Sequence, residues 1–491
     1  MKNRLIKDSF LILLTNCVTY LATMVNTRII SGTFSLTDYG YRAQVMTIVA
    51  IFVSVFSFGF ANCPNYFIPI AESKGKNDAI KIIRNLYFVT FIVCVLMSII
   101  VLINYTHVIS YYNNEELINY KYVIVLMVTE QIFYSFYSGI QIAQHRAIKA
   151  TFTNLLRALA TVVVTLIVCN YWANIYNIIL CTFIVDSVFC VFTVVDSARP
   201  FQTHSRWIDI KMIKDMAMYC VPLGVSSITS GLCAQIDKLF VARFYSSDDL
   251  AVYSNMCTEL PLAAISGAFI AVISPYIVLF IEKKNPQKAI KLWGDVVDFV
   301  SIILFAVIAV LFTFSRQAIL ILYSEKYIFG YELFQIFILV EISRITYFGL
   351  ILRSYGKSML IFLCSGLTLL LDIILNSVSY YVFDGGLIGF AIATMVSTFS
   401  IQLLQLLMSC KVAKISFSSI FPWKDLGINF LINFIFVIFF SFLTRLLGIR
   451  ESRNLFYFIP IIIIWGAIYY VVMRKKISFL YSKIKTVELT V

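Results

Sequence analysis

Nine ionisable residues interrupt otherwise apolar stretches of this chain: Arg28, Glu130, Asp186, Asp237, Lys238, Glu259, Glu341, Arg344 and Asp372. An ionisable group at the centre of a bilayer costs at least about 2.5–3.5 kcal/mol on insertion scales, so it must face a partner or a wet cavity. A carboxylate in such a place can carry a proton or Na⁺. A guanidinium or ammonium can pair with an anionic group. Structural roles compete with these. Arg28, Asp237 and Lys238 lie toward span ends and can snorkel to the interface. Glu341 and Arg344 are three apart, the spacing of neighbours on one helix face, and can neutralise each other. Glu130 has no basic residue at i±3 or i±4. Asp186 and Asp372 also stand isolated in the sequence.

The elements that hold these residues follow from composition. The chain has 491 residues, 60% hydrophobic and 13% charged, with mean hydropathy +0.88. Soluble domains are nearer half apolar and a quarter charged. Apolar runs of roughly 20 residues read as membrane helices. Fourteen are expected, near residues 9–30, 41–62, 85–104, 122–142, 151–171, 175–196, 216–242, 251–281, 294–314, 330–352, 358–381, 386–410, 426–446 and 456–473. The first follows Lys2, Arg4 and Lys7 like a signal peptide, but its run is long and lacks a clear cleavage site, so a retained helix is expected. Pro222, Pro261 and Pro275 fall in spans 7 and 8, and Pro64 ends span 2; each frees a carbonyl and permits a bend.

Charge sets orientation. With the N-terminus cytoplasmic, 28 of the 39 Lys and Arg fall in cytoplasmic segments and 8 in outer ones. Arg157 is counted among the former, as are Lys475 and Lys476. That bias places both termini in the cytoplasm. It also accounts for most of the +13 net charge without a nucleic-acid partner, which would need a solvated basic stripe.

The chain repeats. At an offset of 211, Asn26 maps to Asp237, Asp38 to Asp249, Pro64 to Pro275, Glu130 to Glu341 and Arg146 to Lys357. The triplet Ala79-Ile80-Lys81 recurs as Ala289-Ile290-Lys291. Six spans separate equivalent helices, so the copies run parallel, related by an axis along the membrane normal. The expected division is residues 1–200 and 201–415 as two six-helix bundles, with 416–491 as a terminal helix pair and tail.

Several chemistries lack their motifs. Gly356-Lys357-Ser358 resembles the end of a phosphate-binding loop, but Ile351 stands where its first Gly belongs. There is no HExxH and no GxSxG. Only three His occur, His107, His145 and His204, and no spacing implies a metal. No cofactor is expected. Most cysteines, such as Cys94, Cys181 and Cys364, sit in apolar runs where they act as small hydrophobes.

The stretch Gln235-Ile236-Asp237-Lys238-Leu239-Phe240-Val241-Ala242-Arg243-Phe244, followed by Asp248-Asp249-Leu250-Ala251-Val252-Tyr253, resembles the oligosaccharide (Wzx or O-antigen) flippases of bacterial surface-polysaccharide assembly. These belong to the superfamily that also holds the MATE exporters and lipid II flippases. Ala251 stands where that family usually has Gly; the first-half copy, Asp38-Tyr39-Gly40-Tyr41, keeps Gly40.

The resemblance implies an all-α, MATE-like polytopic membrane protein that moves an undecaprenyl-pyrophosphate-linked oligosaccharide across the bacterial inner membrane by alternating access. It implies a cationic central cavity, for which Arg28, Lys238 and Arg344 are the matching residues. Ion-coupling candidates are Glu130, Asp186, Asp237, Glu341 and Asp372, with H⁺ or Na⁺ as the ion. Membrane lipids and a polysaccharide polymerase are the implied neighbours. The alternatives are a MATE-type drug/cation antiporter, a lipid II flippase, and a membrane glycan polymerase or ligase. The short outer segments near 105–121 and 315–329 disfavour the last, which needs a large catalytic loop.

Overall fold

The computed structural model describes residues 2–57, 63–72, 76–144, 146–198, 208–449 and 455–490. The segments around Arg199, Arg206, His145 and His204, and the expected bundle boundary at 200/201, lie outside these. The described residues are almost wholly helical and contain no β-strand. The helices are α1 Lys2–Thr33, α2 Leu36–Phe56, α3 Cys63–Glu72, α4 Lys76–Tyr112, α5 Lys121–Ala143, α6 Ala147–Tyr171, α7 Ile175–Ala198, α8 Ile210–Cys233, α9 Ile236–Phe244 and α10 Ser247–Met256. They continue as α11 Leu262–Glu282, α12 Pro286–Thr313, α13 Ser315–Leu322, α14 Tyr331–Val340, α15 Leu350–Ser354, α16 Ser358–Tyr381, α17 Gly386–Ala413, α18 Phe417–Ile420, α19 Trp423–Leu446 and α20 Phe458–Thr490.

Among the described residues, 12 helical segments are long and apolar enough to cross a membrane. Two more, α1 with 32 residues and α8 with 24, have the length, since 20 residues span about 30 Å. They hold the apolar runs expected near residues 9–30 and 216–242, with Thr19, Thr23, Asn26 and Arg28 as polar interruptions on α1. The fourteen expected spans are thus all represented by helices.

Three expected spans are discontinuous. Span 7 divides into α8 and α9, with Ala234 and Gln235 between them. Span 8 divides into α10 and α11, with Pro261 at the N-cap of α11 and Pro275 inside it. Span 10 divides into α14, a 3₁₀ turn Glu341–Ile345, and α15. Broken membrane helices free backbone groups, which require partners from protein or water.

The repeat is visible in the elements. Ser35 caps α2, accepting the Asp38 N–H at 3.1 Å and donating to its carboxylate at 2.6 Å. Ser246 and Asp249 repeat the arrangement before α10, at 3.1 Å and 2.7 Å. This reciprocal cap satisfies donors that a helix start leaves open. A 3₁₀ turn, Glu115–Tyr120, precedes α5, and another, Glu325–Gly330, precedes α14. The starts of α6 and α16, and of α7 and α17, keep the same 211-residue offset.

The chain forms two compact units, Met1–Ser254 and Asn255–Val491. In the first, α1 packs along α6, α6 along α7, and α5 against α2, α3 and α7. Close approach there depends on glycine. A Cβ on Gly40 would lie 2.1 Å from the Ser247 carbonyl oxygen, and one on Gly231 would lie 2.2 Å from Ser54 Oγ. In the second unit, α16 pairs with α17, and α12 packs on α11, α19 and α20. The terminal pair is fixed to α12 by an aromatic cluster in which Phe440 stacks on Trp465 at 4.4 Å. A polar network joins the same helices. Lys476 Nζ lies 2.8 Å from Asp298, and Asn429 donates to Asp298 at 2.9 Å and to Ser301 at 2.7 Å. Lys476, expected in a cytoplasmic segment, is thus paired with Asp298 on α12.

Candidate functional site

Helices α6 and α7 run antiparallel and are joined by two ion pairs. One, Lys149–Asp196, lies near the start of α6 and the end of α7. The other is Arg157 with Asp186, where Nε meets Oδ1 at 2.7 Å and Nη2 meets Oδ2 at 3.3 Å. Two parallel contacts from one guanidinium fix orientation as well as charge. Arg157 is not a loop residue, as the sequence reading had it. It stands ten residues beyond the start of α6, about 15 Å along the helix. Asp186 is correspondingly not isolated. The signal in the sequence was Arg157's place inside an apolar run, masked by its nearness to Arg146 and Lys149.

Glu130, buried on α5, lies one residue away on the facing helix: Ser187 Oγ donates to Glu130 Oε2 at 3.1 Å. The Arg157 guanidinium also sits 4.6 Å from the centre of the Tyr134 ring, an orientation favoured by the ring's negative face. Two carboxylates, Glu130 and Asp186, therefore share the neighbourhood of one guanidinium. A cavity of about 240 Å³ opens beside the pair, lined by Asn26, Asn154, Arg157, Thr161, Asp186 and Thr23. Asn26 Oδ1 is buried there without a hydrogen-bond partner. An open acceptor at the wall of a polar cavity is fit to take a water, an ion or a hydroxyl.

The other first-unit candidates stand apart from this cavity. Arg28 is exposed on α1, its guanidinium lying over Gly32, where a Cβ would meet Nη1 at 3.4 Å. Asp237 is buried in the first turn of α9, accepting from Tyr253 Oη at 3.0 Å and the Lys238 N–H at 2.8 Å. Lys238 is half-buried and donates to Gln235 at 3.3 Å.

In the second unit the expected Glu341–Arg344 neutralisation is replaced by another pairing. Arg344 pairs with Glu259, before α11. Glu341 instead accepts the Leu260 N–H at 3.4 Å, and its second carboxylate oxygen is buried without a partner. Glu341 and Arg344 still share a face, since residues three apart eclipse in the 3₁₀ turn that holds them, but Glu341 is buried while Arg344 reaches out to the more exposed Glu259. Asp372 on α16 is buried, accepting from Ser397 Oγ at 3.0 Å and from Asn376 Nδ2 at 3.2 Å. The Asn376 Oδ1 atom beside it has no partner. A carboxylate, an amide oxygen and a hydroxyl form the hard-oxygen set that binds small cations.

Long apolar helices, polar sites between them and a duplicated chain define a multi-pass membrane protein fold. Solved structures agree. A lipid II flippase MurJ in an inward closed conformation superposes with a TM-score of 0.70 at 15% identity, covering 97% of this chain and 99% of that one. An inward-facing multidrug resistance MATE family transporter of the MOP superfamily gives 0.65 at 14% identity, covering 81% and 96%. A Vibrio cholerae MATE transporter, VcmN, gives 0.59 at 14%, covering 84% and 97%. No curated protein matches the sequence. Residues 27–329 match the polysaccharide biosynthesis protein family, and the chain belongs to that family.

Proposed function

We propose that the protein is a flippase for an undecaprenyl-pyrophosphate-linked oligosaccharide repeat unit of the O-antigen or capsule type, acting by alternating access in the bacterial inner membrane, with both termini cytoplasmic. The observation that carries this is a polysaccharide biosynthesis chain built on a MATE- and MurJ-like transporter fold. The physical need is plain. A sugar chain and a pyrophosphate cannot cross roughly 30 Å of hydrocarbon unaided. A polar path can shelter them while the prenyl tail stays in lipid.

Arg28, Lys238 and Arg344 are the proposed contacts for the pyrophosphate, to which Arg157 is now added. Charge-assisted bonds from guanidinium and ammonium suit phosphate oxygens. Glu130 with Asp186, and Asp372 with Asn376, are the proposed coupling sites for H⁺ or Na⁺. Asp237 and Glu341 are secondary candidates on the same grounds of burial.

The test is complementation of flippase-null strains with defined repeat units. The wild-type chain restores surface polysaccharide. The triple variant R28Q/K238Q/R344Q inserts in the membrane but restores little. Full polysaccharide from the triple variant contradicts the cationic contacts. Drug resistance without polysaccharide points to a drug/cation antiporter, and rescue of lipid II flippase depletion points to a lipid II flippase.

A further inference from the structure

Helix α5 carries a polar stripe on one buried face. Glu130, Tyr134, Tyr137 and Gln141 follow one another at intervals of four, three and four residues, the spacing of neighbours on one side of a helix. All four are buried. The stripe runs about 16 Å along the axis, from Glu130 to Gln141 in the last turn of α5. Packing alone needs no polar atoms here. Yet Tyr134 Oη, Tyr137 Oη and Gln141 Oε1 are buried without a hydrogen-bond partner among the described residues. Buried polar atoms are satisfied by protein or by ordered water, and an exception needs an explanation.

The stripe faces the polar side of the α6–α7 pair. At one end Ser187 donates to Glu130, beside the Arg157–Asp186 pair. The Tyr134 and Tyr137 rings lie 6.3 Å apart, centre to centre. Arg157 stands over Tyr134, and Thr153 and Asp196 stand beside Tyr137, without a bond to either hydroxyl. At the other end Gln141 Nε2 donates to Asp196 at 3.5 Å. Asp196 pairs with Lys149, whose side chain is 39% exposed. Polar groups that are near but not bonded are joined through single waters. The stripe therefore links a buried carboxylate to a helix end that water reaches.

The charged and titratable groups around it are few. Helix α6 and its N-cap bring Arg157, Lys149 and Arg146, and α7 brings Asp186, Cys190 and Asp196. Helix α4 meets α5 through Tyr87 on Phe133 and Cys94 beside Thr129, and carries Lys81 and Arg84 nearer its start. The titratable residues of α2, Asp38, Tyr39, Tyr41 and Arg42, lie in its first two turns. Glu115, Glu116 and Tyr120 precede α5, and α3 adds the exposed Tyr66.

We propose that Tyr134 and Tyr137, with Gln141 and Asp196 at the mouth, form a proton relay between the cytoplasmic end of α5 and Glu130. This rests on the orientation and on the coupling role given to Glu130 above; it names the proton as the ion and the cytoplasm as the side it exchanges with. A proton taken up at Asp196 passes to a water and then along the hydroxyls. Each hydroxyl accepts one proton and releases its own, and the last is delivered to a Glu130 carboxylate oxygen. One proton enters and one arrives, so no phenolate is left behind. Gln141 passes no proton; its amide holds a water in line.

The test follows the proton on Glu130 in purified full-length protein, with no glycan present. The carboxylic C=O band that E130Q removes is located by infrared difference spectroscopy between alkaline and acid pH. Its shift on rapid mixing with D₂O gives the exchange rate. Y137F and Y134F/Y137F are expected to keep the band and to slow its shift by at least about tenfold, the scale on which a positioned proton carrier acts. Q141L, which removes no hydroxyl, is expected to slow it less. If Y134F/Y137F fails to insert, Y137F alone carries the test. Exchange as fast in these tyrosine variants as in the wild type overturns the relay. Slowing by N26L and not by Y137F assigns the proton supply to the 240 Å³ cavity and overturns it too. Absence of an E130Q-sensitive band removes the coupling role of Glu130 along with the relay. None of these outcomes bears on the flippase reading, which stands or falls on complementation.

Discussion

At the scale of single residues, the first-unit cavity is organised by Arg157. Its guanidinium holds Asp186 through two contacts and lies over Tyr134, while Glu130 stands behind Ser187. Arg157 and Asp186 are half-buried, so removing one partner leaves the other partly uncompensated, at less than the about 3–5 kcal/mol of a fully buried pair. R157M should therefore lower the thermal stability of the purified protein. R157M/D186L, which removes both charges, should recover much of the loss. A double variant no more stable than R157M would show that the pair has no such role. Asp372 gives a second residue-scale expectation. D372N keeps the shape and the Ser397 contact but removes the charge proposed to hold a coupling cation. Transport should fall at least tenfold with little change in stability; unchanged transport rules out Asp372 as the coupling site. Glu130, Asp186 and Asp372 were legible in sequence because a carboxylate in an apolar run is conspicuous. Arg157 was not. It follows a basic segment, and only the facing helix shows that it has left the loop behind.

At the scale of elements, helix number and order follow closely from hydropathy, and the capping boxes at Ser35 and Ser246 mark equivalent helix starts. The breaks in α10–α11 and α14–α15 were not legible. A hydropathy window sees apolar side chains, and these are unchanged when the backbone shifts from α-helical to 3₁₀ bonding at Glu341. Helix contacts in the first unit rest on missing side chains. G231A would force a methyl group within 2.5 Å of Ser54 Cβ. Overpacking of this kind costs typically about 1–3 kcal/mol. The melting temperature should fall in G231A and return in G231A/S54G. No recovery in the double variant would mean that the α2–α8 contact does not set the limit.

At the scale of the whole molecule, composition alone gives a multi-pass membrane protein, and the internal offset of 210–211 residues gives a duplicated one. The substrate is not written at this scale. The same fold is shared by MurJ and by MATE transporters at 13–15% identity, and a fold does not fix a function. The choice of a lipid-linked glycan rests on family membership and on the cations within the spans. It is tested most directly with purified protein in liposomes loaded with an undecaprenyl-pyrophosphate oligosaccharide in both leaflets. Outer-leaflet glycan is first removed by a membrane-impermeant glycosidase, and the reappearance of cleavable glycan is then followed, with and without a Na⁺ or proton gradient. Cleavage proceeding beyond the initial outer fraction, faster with the wild-type chain than with R28Q/K238Q/R344Q, is the expected result. Cleavage that stops at the outer fraction in vesicles bearing folded wild-type protein, with either gradient imposed, would contradict the flippase function.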